Sequence, residues 1–209
     1  MSATPRFRRR KEDRPAEITA AALAVFARKG YAATRVIDVA RRAGVSKGLL
    51  YLYFKTKEDL FKSVIRSFVV PRVTALRTAV EDSDLTVEEF LRGPFTQLIM
   101  SVADSDAEVV VRLLIAEGPK HPDLTAYYCN EVILEGMTIV RNLLEKGVER
   151  GEIRPTALHE FPQIMFSGVL VSTIWTSLFN RHHPIDSKAM IKAHIDLMIS
   201  ALHNKDSDL

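Results

Sequence analysis

Residues 34–57 read Thr34-Arg-Val-Ile-Asp-Val-Ala-Arg-Arg-Ala-Gly-Val-Ser-Lys-Gly-Leu-Leu-Tyr-Leu-Tyr-Phe-Lys-Thr-Lys57. Two short stretches with helical apolar spacing flank Ala43-Gly44-Val45-Ser46. Gly44 can adopt the left-handed backbone that a tight interhelix turn requires. Ser46 is placed to cap the second helix and Thr34 the first, because a side-chain oxygen there can accept an otherwise unpaired backbone N–H. Ile37, Val39 and Ala40 before the turn, with Val45, Leu50 and Phe54 after it, can clamp the two helices at a fixed angle. The small Ala40 and Ala43 permit close approach. This is helix-turn-helix construction.

The second helix, Ser46 to about Phe54, has a surface suited to DNA. Leu50 and Phe54 lie four apart and point inward. Lys47 and Tyr51 then share one outer face, and Leu49 and Tyr53 another. Ser46 and the helix start offer N–H groups to a phosphate. Lys47 offers a cation, the tyrosines offer hydroxyls, and Gly48 lets the backbone come close. Leu49 can touch a thymine methyl. The rival reading makes Tyr51, Tyr53 and Phe54 plain core aromatics; Phe54 reads best that way, and the tyrosines read best as DNA contacts, since nothing else explains two hydroxyls beside Lys47.

Outward from this segment the chain reads as helix after helix. Upstream, Pro15 suits a first helical position. Ile18, Ala21, Ala22, Val25 and Phe26 repeat at helical spacing, and Gly30 marks the stop. Downstream, Thr56-Lys57-Glu58-Asp59 resembles a capping box opening a helix with Leu60, Phe61, Val64, Ile65 and Phe68 on its apolar face. Thr86-x-x-Glu89 and Ser105-x-x-Glu108 repeat that signal. Gly118-Pro119 and Pro122 precede a long helix over about residues 123–150, and two more are expected over roughly 157–181 and 186–203. No stretch sustains a period of two, so the expected fold is all-α, about nine helices in all. Residues 1–13 read as a basic arm, 14–60 as the helix-turn-helix unit, and 61–209 as a larger helical bundle.

Charge divides the chain in the same place. Residues 1–60 hold 14 Lys and Arg against 6 Asp and Glu, and the remainder holds 15 against 20. A basic head on an acidic body suits a head that meets a polyanion. Arg6, Arg8, Arg9, Arg10 and Lys11 could lie in a minor groove, or simply be a solvated tail. The single cysteine excludes an internal disulfide framework and fits a reducing cytoplasm. The arginine-rich start is not a signal peptide. The apolar run from Ile164 to Phe179 is shorter than the ~20 residues a membrane span needs, and reads as a buried helix. There is no Gly-x-Ser-x-Gly elbow, phosphate-binding glycine loop or His-Glu-x-x-His, so no enzyme, cofactor or metal site is expected. His182 and His183 are adjacent and point apart, a poor pair of metal ligands.

Between Val36 and Phe61 the order Ile-x-x-Ala-x-x-Ala-Gly-Val-Ser-x-Gly-x-Leu-Tyr-x-Tyr-Phe-x-x-Lys-x-x-Leu resembles the TetR/AcrR family of bacterial regulators. The preceding Ala20 to Phe26 and Gly30-Tyr31-Ala32-Ala33-Thr34 are similar as well. The resemblance covers roughly the first third of the chain. It implies that Thr34 and Lys57 hold phosphates at the edges of the motif, with Ser46, Lys47, Gly48, Tyr51 and Tyr53 along the major groove; Arg35 and Leu49 are further DNA-binding candidates. Leu49 departs from the Thr, Ser or Ala common at that position, so a relative's operator cannot be transferred. Arg112 to Gly118 with Pro122-Asp123-Leu124, and Gly147 to Arg154, are loosely similar to an AefR-like subgroup.

For the body, the resemblance implies a homodimer through the last two long helices and a small hydrophobic or amphipathic ligand among the middle ones. Candidate lining residues are Phe95, Leu98, Met137, Phe166 and Trp175, with Glu117 and Tyr127 as polar anchors. The function implied is a sequence-specific, cytoplasmic DNA-binding regulator, by family default a repressor of a palindromic operator released by its ligand. A sequence-tolerant DNA-coating or scaffold protein is the rival reading.

Overall fold

A computed structural model describes residues 6–81, 84–103 and 105–202, and of residues 6–12 the backbone alone. All regular structure among the described residues is helical. The head comprises α1 (Arg6–Ala33), α2 (Val36–Arg42) and α3 (Lys47–Tyr53), and α4 (Lys57–Phe68) and α5 (Val70–Glu81) lead away from it. Next come α6 (Val87–Phe90), α7 (Thr96–Val102), α8 (Asp106–Glu117), α9 (Pro122–Tyr128) and α10 (Leu134–Glu149). A single turn, α11 (Ala157–Glu160), precedes α12 (Ser167–Leu178) and α13 (Ser187–Leu202). No helix among the described residues is long and apolar enough to cross a membrane.

The segments outnumber the expected nine because wide turns and short helical turns divide longer runs. A π-turn at Leu91–Phe95 joins α6 to α7 and contains Pro94. Proline lacks the N–H that the regular ladder needs, and the wide turn absorbs the loss. The Thr96 hydroxyl donates to the Leu91 carbonyl at 2.6 Å there. A second π-turn, Cys129–Ile133, interrupts the expected long helix and joins α9 to α10. The helix expected over 157–181 is broken by a 3₁₀ turn at Pro162–Phe166, where Pro162 is buried.

Several ends follow the sequence signals. Thr56 with Asp59 and Thr86 with Glu89 form capping boxes. Ser105 caps α8 by accepting the Ala107 N–H at 3.2 Å, while Glu108 accepts from Thr176 on α12 at 3.4 Å. Gly30 and Gly44 take φ of 77° and 65°, the left-handed region that both turns use.

Two ends differ. Pro15 lies inside α1, and Arg6 to Asp13, expected as an arm, continue that helix. The run of Arg, Lys and Glu there carries good helix propensity. The arm before Arg6 lies outside the described residues. Thr34 does not cap α2: Arg35 stands at the cap, and its N–H donates to the Asp38 carboxylate at 3.3 Å.

The body is not separate from the head. Ile18, Phe26, Tyr31, Val39, Leu50 and Phe54 form one core with Leu60, Phe61, Val64 and Ile65 of α4 and Ala107, Val110 and Leu113 of α8. The expected boundary at residue 60 therefore falls within α4. Phe26, Tyr31 and Phe61 pack at ring separations of 5.3 to 5.5 Å. Each fully buried side chain of this size contributes about 1.5–3 kcal/mol. Thr19 and Ser63, both buried, share a hydrogen bond of 3.0 Å between α1 and α4. A second core gathers Phe90, Leu91, Phe95, Leu144, Met165 and Ile191 from α6 through α13.

Candidate nucleic-acid interface

The orientation of α3 follows from its inner face. Leu50 is fully buried and Phe54, just past the helix, nearly so, in the core that holds α1 and α4. The Ser46 side chain accepts the Leu49 N–H at 3.1 Å and fixes where the helix begins. Lys47, Gly48, Tyr51 and Leu52 are consequently turned to solvent. The Lys47 ammonium lies 5.6 Å from the centre of the Tyr51 ring, so cation and aromatic share one surface as expected. Leu49 and Tyr53 are only partly exposed, and Tyr53 leans on the core.

Leu52, 80% exposed, was missed by the reading of the sequence. The signal was present: Leu52 lies four residues after Gly48, so it shares the face of that glycine. An apolar side chain that exposed matches a thymine methyl. Arg41 and Arg42 at the end of α2, with Arg35 and Lys55, are exposed cations around α3. The Asp38 carboxyl is held below its ordinary range, first by its bond from Lys29 at 2.8 Å and then by the Arg35 N–H.

Two residues expected at phosphates are engaged internally instead. Thr34 is buried, and its hydroxyl donates to the Gly30 carbonyl at 2.7 Å. Lys57 donates to the carbonyls of Tyr31 at 2.8 Å and Ala32 at 3.1 Å. Burial of Lys57 lowers its pKa, opposed by the charge of Glu117. Both side chains close the carbonyl-rich end of α1, which lacks ladder partners. That use of a hydroxyl and an ammonium is invisible to motif spacing.

Glu117, expected as a ligand anchor, belongs to the same junction. It ends α8 and accepts the Ala32 N–H at 3.4 Å. His121 packs on Tyr31 at 4.6 Å, edge to face. Burial, then the charge of Glu58, pushes the Tyr31 hydroxyl up to about 12. The turn between α1 and α2 thus rests on the far end of α8.

A cavity of about 190 Å³ lies in the body among α5, α7, α8, α10 and α12. An apolar cavity near ~150 Å³ is enough to hold benzene. Leu98, Met137 and Phe166 line it, together with Val73, Leu76, Val111 and Tyr128. Phe95 is fully buried behind the wall, 5.9 Å from Phe166. Tyr127 faces Lys62 of α4 at 5.3 Å, and its neighbour Tyr128 reaches the cavity instead. Consecutive helical residues point about 100° apart, so the correct tyrosine depended on the register of a seven-residue helix. Trp175 donates its indole N–H to the His183 carbonyl at 2.8 Å and packs on Phe179, closing the loop after α12.

Comparison with known proteins agrees with this geometry. Residues 18–64 match the model described as bacterial regulatory proteins, tetR family. Residues 86–196 match that of a tetracyclin repressor-like C-terminal domain. The fatty acid metabolism regulator protein of Bacillus subtilis is 25% identical over 93% of this chain and 100% of its own length. The HTH-type transcriptional regulator YfiR of Bacillus subtilis is 31% identical over 69% of this chain and 70% of its own. The structure of FadR from Bacillus subtilis in complex with stearoyl-CoA superposes with a TM-score of 0.73 at 23% identity, covering 90% of this chain and 99% of that one. The ketosteroid regulator KstR2 of Mycobacterium tuberculosis gives 0.64 at 20% identity, over 92% and 96%. With a recognition helix held outward on a shared core, and both halves of the chain matched, this protein belongs to the TetR family of DNA-binding transcriptional regulators.

Proposed function

We propose that two copies of this chain pair through α12 and α13 and repress a palindromic operator, which they release when an apolar or amphipathic small molecule fills the body cavity. One observation carries the reading. Helix α8 lines the cavity with Ala107 and Val111, and its last residue, Glu117, holds the Ala32 N–H of the head. Six residue steps along the helix carry Val111 to Glu117, a rigid span of about 9 Å. A ligand that moves the wall therefore moves the head, and DNA in turn opposes the ligand to the same extent.

The pairing rests on α12. Leu170, Val171, Ile174 and Leu178 are exposed along it, and Leu197 on α13 is 71% exposed. This exposure favours a partner subunit over burial of the helix within one chain. Contiguous apolar exposure of this kind is covered in an assembly. Pairing also supplies a second α3, and an operator reader needs the two about 34–36 Å apart, one turn of DNA. The relatives are regulators rather than enzymes, and we assign this chain no catalytic role. Its place of action is the bacterial cytoplasm, where the DNA is.

Selection of random duplexes on the purified protein, repeated across a salt series, tests the reading. The expected result is an enriched near-palindrome with half-sites about one turn apart. Binding without enrichment that falls steeply with salt would instead identify a DNA-coating protein.

A further inference from the structure

Arg72 is the one charged side chain on the cavity wall among the described residues. Its guanidinium is strapped across the start of α5: one amino group donates to the Phe68 carbonyl and the other to that of Ser101 at 3.4 Å. Its Nε is buried and has no hydrogen-bond partner. No carboxylate pairs with Arg72 among the described residues. A cation with an unused, water-shielded N–H and no paired carboxylate is costly. Two further polar side chains line the cavity, Tyr128 and the exposed Gln163. Burial holds the Tyr128 hydroxyl up to about 12, so it keeps its proton at neutral pH.

A largely apolar space with a cation, a phenol and the Gln163 amide, and no carboxylate on its wall, is complementary to an apolar body with one acceptor end. We propose that the cavity takes a single-tailed amphipath whose carboxylate end meets Arg72, its chain lying among Val73, Val111, Met137 and Phe166. This rests on the reading of the cavity as a ligand site. A charge-assisted bond formed away from water is the strong kind, which makes Arg72 a selector of ligand class as well as an anchor.

The test uses the full chain with two probes of matched length, decanoate and decanol, by titration calorimetry. The expected result is decanoate bound at least about tenfold more tightly than decanol by the wild type. Arg72→Met should erase that preference while decanol still binds, and Arg72→Lys should keep part of it. Because Arg72 also straps Phe68 and Ser101, the lysine variant and the wild-type comparison decide the matter if the methionine variant fails to fold. Equal binding of both probes by the wild type, or an undiminished preference in Arg72→Met, overturns the role of Arg72 and leaves the cavity a ligand site. Binding of neither probe overturns this inference and counts against the cavity as a site for small amphipaths.

Discussion

The Lys57 ammonium stands 4.4 Å above the Tyr31 ring and donates at 2.8 Å to the carbonyl of that same residue. The family motif places a lysine at this position, and the structure directs it at the end of α1. Lys57→Ala is therefore a stability change. It should lower the unfolding free energy by about 1–3 kcal/mol, read by denaturant titration. The salt dependence of DNA binding should be unaltered, whereas Arg41→Ala or Lys47→Ala should flatten it by about one unit. A flatter slope in Lys57→Ala would return that residue to the phosphates.

Tyr51 and Leu52 lie on the outer face of α3, so their loss should leave the fold intact. Tyr51→Ala should abolish operator binding with unchanged helix content. Leu52→Ala should stay within about 0.5 kcal/mol of wild-type stability yet shift base preference at thymine positions. Repeating the duplex selection on each variant reads both effects, and an unchanged consensus for Leu52→Ala would remove it from the groove.

Filling the cavity with a side chain should take the place of the ligand. Val111→Phe adds bulk on the α8 wall, within the 190 Å³ space. Calorimetric binding of decanoate should disappear, and the filled cavity should weaken operator binding as a bound ligand would. Continued decanoate binding would place the ligand elsewhere.

Strong alkali should unfold the protein through Tyr31 and Tyr128. Burial raises both to about 12 in the folded chain, against an ordinary value near 10. Between those values the unfolded chain loses protons that the folded chain keeps, so the stability each group contributes is whole below about pH 10 and is lost as pH rises towards 12. Tyrosinate absorbance from these residues should appear together with loss of helical circular dichroism. Replacing both by Phe should move the midpoint upward, and an unmoved midpoint would assign the transition to other groups.

Local chemistry was enough to locate much of this fold. The turn at Gly44, the caps at Ser46, Thr56 and Thr86, and the inward pair Leu50 and Phe54 depend on residues within a few positions of one another, and periodicity reports such neighbours directly. By itself, then, the sequence determined an all-helical regulator with its second motif helix from Ser46 to about Phe54, which the structure sets at Lys47–Tyr53, and with Lys47 and Tyr51 on one outer face. Only the tertiary structure decided what distant partners require. Thr34 and Lys57 were drawn inward because the end of α1 needed donors for its carbonyls. Glu117 went to the head because α8 runs the distance between cavity and turn. Tyr128 reached the cavity in place of Tyr127 because packing of the body, beside a π-turn, set the rotation of α9. A hydrogen bond between residues 85 positions apart has no signature in either neighbourhood, since it exists only once the helices between them have packed.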